Sequence, residues 1–175
     1  MGQDSDPQAL AQGVLGRPLA ISQIGLVVRD LQQTMEQYTK LLGWGPWNVY
    51  RHEAPRLYDT VVRGEPAEFT MLGAETHVGD IGFELLQPLS GRSIYDEWLE
   101  ERGEGLHHVG VMLHDPAEAV RLKEGLAELG APLLMGGRVG ETEFFYLDTE
   151  PSLKIIIESG TGHAIDLEPD YVYPA

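Results

Sequence analysis

Gly105-Leu106-His107-His108-Val109-Gly110-Val111-Met112-Leu113-His114-Asp115 decides the fold, because an earlier stretch has the same pattern. The earlier copy is Ile21-Ser22-Gln23-Ile24-Gly25-Leu26-Val27-Val28-Arg29-Asp30. Each copy has a polar residue, a hydrophobe, a glycine, an apolar run and a closing aspartate. The alignment matches Gln23 with His108, two side chains that can bind a metal. The repeat predicts two similar halves with polar residues at equivalent positions.

Apolar spacing predicts the same order of secondary structure in both halves. In the first half, 21–28 is typical of a buried strand, and Asp30 is placed to cap a helix that Gly43 ends. Further strands are predicted at 47–51, 58–62, 67–72 and 81–87, with the middle two paired around 63–66. The second half has predicted strands at 106–113, 132–135, 144–147 and 154–158, and a helix that starts at 115. We therefore predict an α+β fold of two tandem βαβββ modules that form a cup-shaped mixed sheet.

The chain divides where the repeated pattern begins and ends. At 175 residues it fits one domain built of two similar halves. The predicted segments are an N-terminal arm (1–19), a first module (20–89), a linker helix (90–104), a second module (105–160) and a C-terminal tail (161–175). The inner faces of two curled sheets must be buried or functional. Polar side chains that face the cup are therefore the candidates for chemistry.

Composition excludes several classes of protein. The formal net charge is −16 with only 12 Lys and Arg, the wrong balance for binding nucleic acid or an anionic membrane. The sequence has no apolar run of about 18 residues and no basic leader before an apolar segment. We therefore expect neither a transmembrane helix nor a signal peptide. Because there are no cysteines, disulfides and thiolate zinc sites are excluded, and we expect a cytoplasmic protein.

Four polar side chains occupy equivalent positions in the two halves: Gln23, Glu84, His108 and Glu158. Gln23 and His108 match through the repeat, and the two glutamates lie in the last predicted strand of each half. A carboxylate in an apolar strand is costly to bury unless it is paired or binds a metal. One imidazole, two carboxylates and one amide oxygen suit a divalent cation such as Zn, Co, Ni, Mn or Mg. The two symmetric pairs therefore predict one metal site inside the cup.

Other polar residues carry weaker interpretations. The remaining histidines considered, His52, His77 and His114, are expected at the surface. His107 precedes His108, so in a strand its side chain is expected on the opposite face. Two arginines, Arg63 and Arg138, are candidates for contacting an anionic group of a substrate.

The repeat, together with two short motifs, resembles the vicinal oxygen chelate superfamily of glyoxalases, bleomycin resistance proteins and dioxygenases. The motifs are Gly103-Glu104-Gly105-Leu106-His107-His108-Val109-Gly110 and Phe83-Glu84-Leu85-Leu86-Gln87-Pro88-Leu89. Within the superfamily the chain is most similar to methylmalonyl-CoA epimerase-like proteins. The resemblance covers about 21–159 and implies the vicinal oxygen chelate fold.

The resemblance implies a metal-dependent reaction inside the cup. At the matching positions the metal ligands are Gln23, Glu84, His108 and Glu158, with substrate oxygens completing the coordination. We expect a metal-dependent epimerase, racemase or isomerase that abstracts a proton alpha to a carbonyl through a metal-stabilised enolate. Glu158 and Glu84 are the expected bases, and the expected substrate is a small carbonyl compound, either an acyl-CoA or a ketone. A homodimer is also expected.

The sequence departs from the epimerase pattern at the metal ligands and at the base. Epimerases have His where this chain has Gln23 and often Gln where it has Glu84, so the set resembles animal-type glyoxalase I instead. They also carry a catalytic Glu in the first half, which leaves Glu65 and Glu68 as rival bases. Two alternatives therefore stay open: a glyoxalase I-type lyase on a thiol adduct, and a metal-free, resistance-type protein that binds a small molecule. An extradiol dioxygenase is less consistent, because that site uses two His and one Glu.

Overall fold

The computed structural model describes residues 13–161 and 167–174, and in them eleven strands form one curled sheet. The strands are β1 (Gln23–Val27), β2 (Trp47–His52), β3 (Leu57–Val62), β4 (Glu65–Pro66), β5 (Phe69–Val78), β6 (Ile81–Gly91), β7 (Gly105–Leu113), β8 (Leu133–Val139), β9 (Thr142–Leu147), β10 (Ile156–Thr161) and β11 (Tyr171–Tyr173). The helices are α1 (Leu31–Leu42), α2 (Ile94–Glu101), α3 (Pro116–Glu128) and α4 (Glu150–Leu153). The predicted α+β class and mixed, cup-shaped sheet are confirmed.

The sheet is arranged about a central pair of strands, β1 and β7. The strand order is β11-β2-β5-β6-β1-β7-β10-β9-β8-β3-β4. β1 and β7 run antiparallel, while β6 is parallel to β1 on one side and β10 is parallel to β7 on the other. The repeated strands β1 and β7 therefore each have one parallel neighbour from their own half, β6 and β10. The repeat in the sequence corresponds to a repeat in the structure.

The hairpin of β3 and β4 corrects one detail of the predicted topology. We expected 58–62 to pair with 67–72, but β3 pairs with the short β4 and with β8 of the second half. Residues 69–78 form the long strand β5, which lies between β2 and β6. Register decides this outcome, because β5 pairs with β6 along its length and buries alternate side chains. The β3–β4 hairpin thus extends from the first half to the edge of the second.

The helix of the first half begins and ends where the sequence predicted. The Asp30 side chain accepts a hydrogen bond from the Gln33 amide at 2.9 Å, and Gly43 ends α1 with φ 70°. Leu31 and Met35 are the fully buried residues of α1, and they pack with Trp47 and other side chains of the sheet in one apolar cluster. This cluster lies on the opposite sheet face from the predicted ligands, because side chains alternate along a strand.

The first and last described segments of the chain pack on opposite halves of the sheet. Residues 1–12 of the predicted arm and 162–166 and 175 of the predicted tail lie outside the described residues. Val14, Leu15 and Leu19 pack against the apolar cluster beneath α3. β11 pairs with β2 and adds an edge strand to the first half. Among the described helices, none has the length and apolarity needed to cross a bilayer. The segment boundaries expected from the sequence stay a prediction.

Candidate metal centre

The central strands place each repeated glycine opposite a repeated polar residue. In the β1–β7 ladder Gly25 lies opposite His108, and Gln23 lies opposite Gly110. A Cβ atom on Gly25 would lie 1.9 Å from Cε1 of the His108 ring. A Cβ atom on Gly110 would lie 2.7 Å from Cβ of Gln23. The glycines of the repeat are therefore needed to leave room for the polar side chains across the ladder. His108 lies within β7, inside the strand predicted at 106–113.

The flanking strands add one glutamate on each side of this pair. Glu84 on β6 lies opposite Gly25, and Glu158 on β10 lies opposite Gly110. His108 Nε2 lies 3.1 Å from Oε2 of Glu158 and 3.4 Å from Oε2 of Glu84. One donor atom from each of the three residues lies within 4.8 Å of the others. The structure thus brings together three of the four predicted ligands, and all three are buried.

The converging atoms have no other partners within the described residues. Oε2 of Glu84, Nε2 of His108 and Oε2 of Glu158 are all buried without a hydrogen bond, because their short contacts lack hydrogen-bond geometry. Leaving a buried polar atom unpaired costs about 1–3 kcal/mol, and more when it is charged. A divalent cation between one nitrogen and two carboxylate oxygens would satisfy all three. The residues present therefore fit the metal that the sequence predicts.

Charge inside the site changes how the metal-free ligands titrate. Burial lowers the pKa of His108, but the two glutamates outweigh this effect and raise it to about 9. Burial, opposed by the contact with His108, raises the pKa of Glu84. Without a metal, a proton on the His108 ring is the cation that the two carboxylates hold. A metal must displace that proton, because it binds the neutral imidazole.

His107 contacts His108 directly, contrary to the simple expectation for neighbours in a strand. Nδ1 of His107 lies 3.1 Å from Nδ1 of His108, and the His107 ring packs edge-on against Tyr95, Trp98 and Tyr146. If His108 binds a metal through Nε2, its proton is on Nδ1, and this N–H donates a hydrogen bond to Nδ1 of His107. Burial lowers the pKa of His107 well below its usual value, so its ring is neutral and can accept.

Three of the four predicted ligands, Gln23, Glu84 and Glu158, line a cavity of about 210 Å³, and His108 is buried behind them. Gln23 lines the same cavity, and its Oε1 lies 3.2 Å from the position of a Cβ on Gly110, directly across from Glu158. Met71, Val139 and Phe144 contribute apolar walls, so the cavity combines an apolar lining with a few convergent polar groups. The four-residue ligand set stays a prediction that this placement supports.

Glu75 is a third carboxylate of the cavity that the sequence analysis missed. It lies directly opposite Glu84 in the β5–β6 ladder and lines the cavity. Burial and the nearby carboxylates of Glu84 and Glu158 raise the pKa of Glu75 to about 8. The two-residue turn Gly79-Asp80 was the available signal, because a hairpin turn of this length fixes which residues face each other.

The expectations for the other polar residues are met only in part. His77 and His114 are exposed as expected, although both also line the cavity, whereas His52 is buried and lines it. The rival bases Glu65 and Glu68 are exposed and are not part of the cavity wall, because the β3–β4 hairpin carries this region away. Two candidate anion contacts are engaged elsewhere: Arg63 pairs with Glu97, and Arg138 donates to Tyr58 Oη and to the Glu141 carbonyl.

A cup of paired βαβββ modules with metal-binding side chains on its inner strands defines the vicinal oxygen chelate class. The family model of the Glyoxalase/Bleomycin resistance protein/Dioxygenase superfamily matches residues 22–146, and the chain belongs to this superfamily. No curated protein matches the sequence significantly.

Solved structures with the same fold cover most of the chain. A hypothetical protein from Bacillus halodurans has a TM-score of 0.61 and 17% identity, over 83% of this chain and 96% of its own. Methylmalonyl-CoA epimerase from Mycobacterium tuberculosis has a TM-score of 0.58 and 18% identity, over 86% and 94% of the two chains. A variant of the Streptomyces coelicolor methylmalonyl-CoA epimerase was solved in complex with 2-nitronate-propionyl-CoA. It has a TM-score of 0.54 and 23% identity, over 84% of this chain and 100% of its own. At these identities the likeness shows the fold.

Proposed function

We propose that this protein is a metal-dependent isomerase that removes and returns a proton at the carbon next to a carbonyl group. The observation that carries the proposal is the set of unpaired donor atoms of Glu84, His108 and Glu158, buried together within 4.8 Å. We propose these residues and Gln23 as ligands of a divalent cation. The likeness to methylmalonyl-CoA epimerases supports the reaction type, because the two folds are the same.

The cation and the carboxylates would have separate tasks. A divalent ion in this site supplies positive charge at the substrate carbonyl oxygen, where negative charge develops when the neighbouring C–H bond breaks. A carboxylate accepts the proton, and the electron pair of the C–H bond moves toward the carbonyl. Return of the proton to the opposite face of the planar carbon inverts its configuration. Epimerisation therefore needs an acid–base group on each side of the substrate.

The pseudo-symmetry of the sheet supplies these two sides. Glu158 belongs to the second half, while Glu84 and Glu75 belong to neighbouring strands of the first half. We propose Glu84 and Glu158 as the bases as well as ligands, and the charge of a bound metal would weaken either carboxylate as a base. Glu75 lies outside the three-donor group, so it can accept a proton on the first-half side without leaving the metal.

The cavity lining keeps competing reactions away from the reacting carbon. Met71, Val139 and Phe144 line it with apolar surface, and the hydroxyls of Tyr95 and Tyr146 are hydrogen-bonded at 2.8 Å. Burial raises the pKa of both phenols, so they stay neutral. Excluding water strengthens the electrostatic interactions of the carboxylates with a substrate and limits proton loss to solvent.

A glyoxalase I-type lyase acting on a thiol adduct is the second candidate function. The Gln, Glu, His, Glu set favours it, since this ligand set resembles animal-type glyoxalase I. Both reactions begin with proton removal next to a carbonyl. A metal-free binding protein is the other alternative, in which a proton on His108 would balance the two buried carboxylates. The cytoplasmic location and the homodimer expected from the sequence remain part of the proposal.

Proton exchange in deuterated water tests the proposed function. Chelator-treated protein, alone and with each divalent metal, is offered a panel of acyl-CoAs, ketones and hemithioacetals, and deuterium uptake at the alpha carbon is followed by mass spectrometry. We expect metal-dependent exchange that Glu158→Gln reduces by about 10²–10⁴-fold, the usual contribution of a general base. Conversion of the hemithioacetals to thioesters would identify the lyase instead.

The controls separate the base from the ligands. Glu75→Gln is expected to keep the metal, and a loss of exchange on one face would identify Glu75 instead of Glu84 as the first-half base. Glu68→Gln changes an exposed carboxylate outside the cavity and is expected to behave as wild type. Absence of exchange with every panel member and every metal would contradict the proposed function. Exchange that persists without metal would contradict the assigned site.

A further inference from the structure

A groove adjoins the metal cavity on the inner face of the sheet. Its walls come from Gly45, Pro46, Asn48 and Tyr50 at β2 and from Leu167, Glu168 and Pro169 before β11. It has a volume of about 630 Å³, against about 210 Å³ for the cavity, and the two share the β5 residues Glu75, Thr76 and His77. A molecule with its carbonyl at the predicted metal therefore has a direct path over β5 into the groove.

Neither space offers a positively charged side chain. All 12 Lys and Arg of the sequence lie within 13–161, and none of them lines the cavity or the groove. The two arginines closest in sequence to the groove are already paired, Arg51 with Glu53 and Arg56 with Asp170. No Lys or Arg side chain therefore forms part of either wall.

The charged groups that do line the two spaces are acidic. Glu75, Glu84 and Glu158 line the cavity, and Glu168 lines the groove. The two positive charges of a divalent cation would be balanced by the carboxylates of Glu84 and Glu158, which would leave no positive charge for a group in the groove. An anionic group brought into the groove would meet like charge without a partner, which costs binding free energy.

The walls of the groove and the cavity carry neutral hydrogen-bonding side chains instead of positively charged ones. Asn48 and Tyr50 line the groove, and His52 lines the cavity next to it. His52 is almost fully buried, its Nδ1 has no hydrogen-bond partner, and its ring stacks on Tyr50. These side chains suit amide, ester or hydroxyl groups, which donate and accept hydrogen bonds without carrying a charge.

We propose that the groove is a subsite for the non-reacting part of the substrate, and that this part is uncharged. The inference rests on the proposed function for the position of the reacting carbonyl. It selects a small neutral thioester or ketone over a substrate whose remote part carries carboxylate or phosphate groups, such as a coenzyme A thioester. Glu168 is the residue that rejects the charged compounds at the groove.

Two thioesters that differ by one carboxylate test the proposal. The 2-methylacetoacetyl thioesters of N-acetylcysteamine and N-acetylcysteine are titrated calorimetrically into the Zn²⁺-loaded protein, with the coenzyme A thioester as a third ligand. The neutral thioester is expected to bind about tenfold more tightly than the carboxylate, the effect of one like charge several ångströms away at a partly exposed site. The coenzyme A thioester is expected to bind no more tightly than the neutral one.

A pair of charge reversals shows whether the groove is responsible. Glu168→Lys is expected to remove most of the tenfold difference, while Glu128→Lys, an equal change in net charge at the exposed end of α3, leaves it unchanged. Equal binding of the two thioesters, tighter binding of the coenzyme A thioester, equal effects of the two variants or no binding at all would each overturn the proposal. Selective binding without deuterium exchange would instead contradict the proposed function and leave the subsite standing.

Discussion

Replacing Gly25 by alanine is expected to remove the metal site by displacing His108. The added Cβ would lie 1.9 Å from Cε1, 2.1 Å from Nε2 and 2.7 Å from Nδ1 of the His108 ring. Carbon atoms in contact are normally about 3.5 Å or more apart, so the ring must move by about 1.5 Å. Such a movement ends the 3.1 Å approach of Nε2 to Glu158.

The surroundings of His108 determine the size of the effect. The ring is fully buried between strands and aromatic side chains, so no free space is available for it. Overpacking of a core costs about 1–3 kcal/mol, and we expect Gly25→Ala to lower the free energy of unfolding by about 3 kcal/mol, the upper end of that range. Metal affinity is expected to fall by more than about 100-fold, because a ligand is lost as well as its orientation.

Urea unfolding and metal titration against a competing chelator measure these two quantities. Gly82→Ala is the matched control, since Gly82 lies in β6 two residues before Glu84 and on the same face. The nearest atom to the Cβ of an alanine there would be the Ser22 carbonyl oxygen, at 3.3 Å. The control is expected to change the free energy of unfolding by less than about 1 kcal/mol. A Gly25→Ala protein with wild-type stability and wild-type metal affinity would refute the conclusion that Gly25 is needed to leave room for the His108 ring.

Two further predictions concern the histidines. The pKa of His108 is raised from 6.5 to about 9 in the metal-free fold, so the charged form of His108 stabilises the fold. This stabilisation, on the order of 3 kcal/mol, is fully present below pH 6.5 and is lost as the pH rises through 9. Urea unfolding of chelator-treated protein, compared with His108→Gln at pH 6 and pH 10, measures it, and a difference that does not shrink with pH would contradict it. His107→Phe keeps the buried aromatic packing but removes the contact to His108 Nδ1, and we expect metal affinity to fall about tenfold. Unchanged affinity in the same chelator competition would show that His107 does not orient the ring.

The repeat in the sequence determined the centre of the molecule. A polar residue followed two positions later by glycine, inside an apolar run, appears in both halves, and strand alternation then puts both polar side chains on one face. Asp30 and Gly43 predicted the limits of α1 for an equally local reason, because capping depends on the few residues at a helix end. The fold class and the convergence of Glu84, His108 and Glu158 follow from such local patterns repeated twice.

Tertiary structure decided the features that depend on strand pairings that the repeat does not specify. Glu75 is a cavity carboxylate because β5 pairs with β6 in one register, and a shift of one residue would turn it to the other face. Glu65 and Glu68 are also glutamates of the first half, but they are exposed because β3, which precedes them, pairs with β8 at the edge of the sheet. The groove exists because residues 167–169, remote in sequence, lie beside β2. Apart from the β5–β6 hairpin, whose turn is local, these pairings join segments far apart in the chain, so no local pattern predicts them.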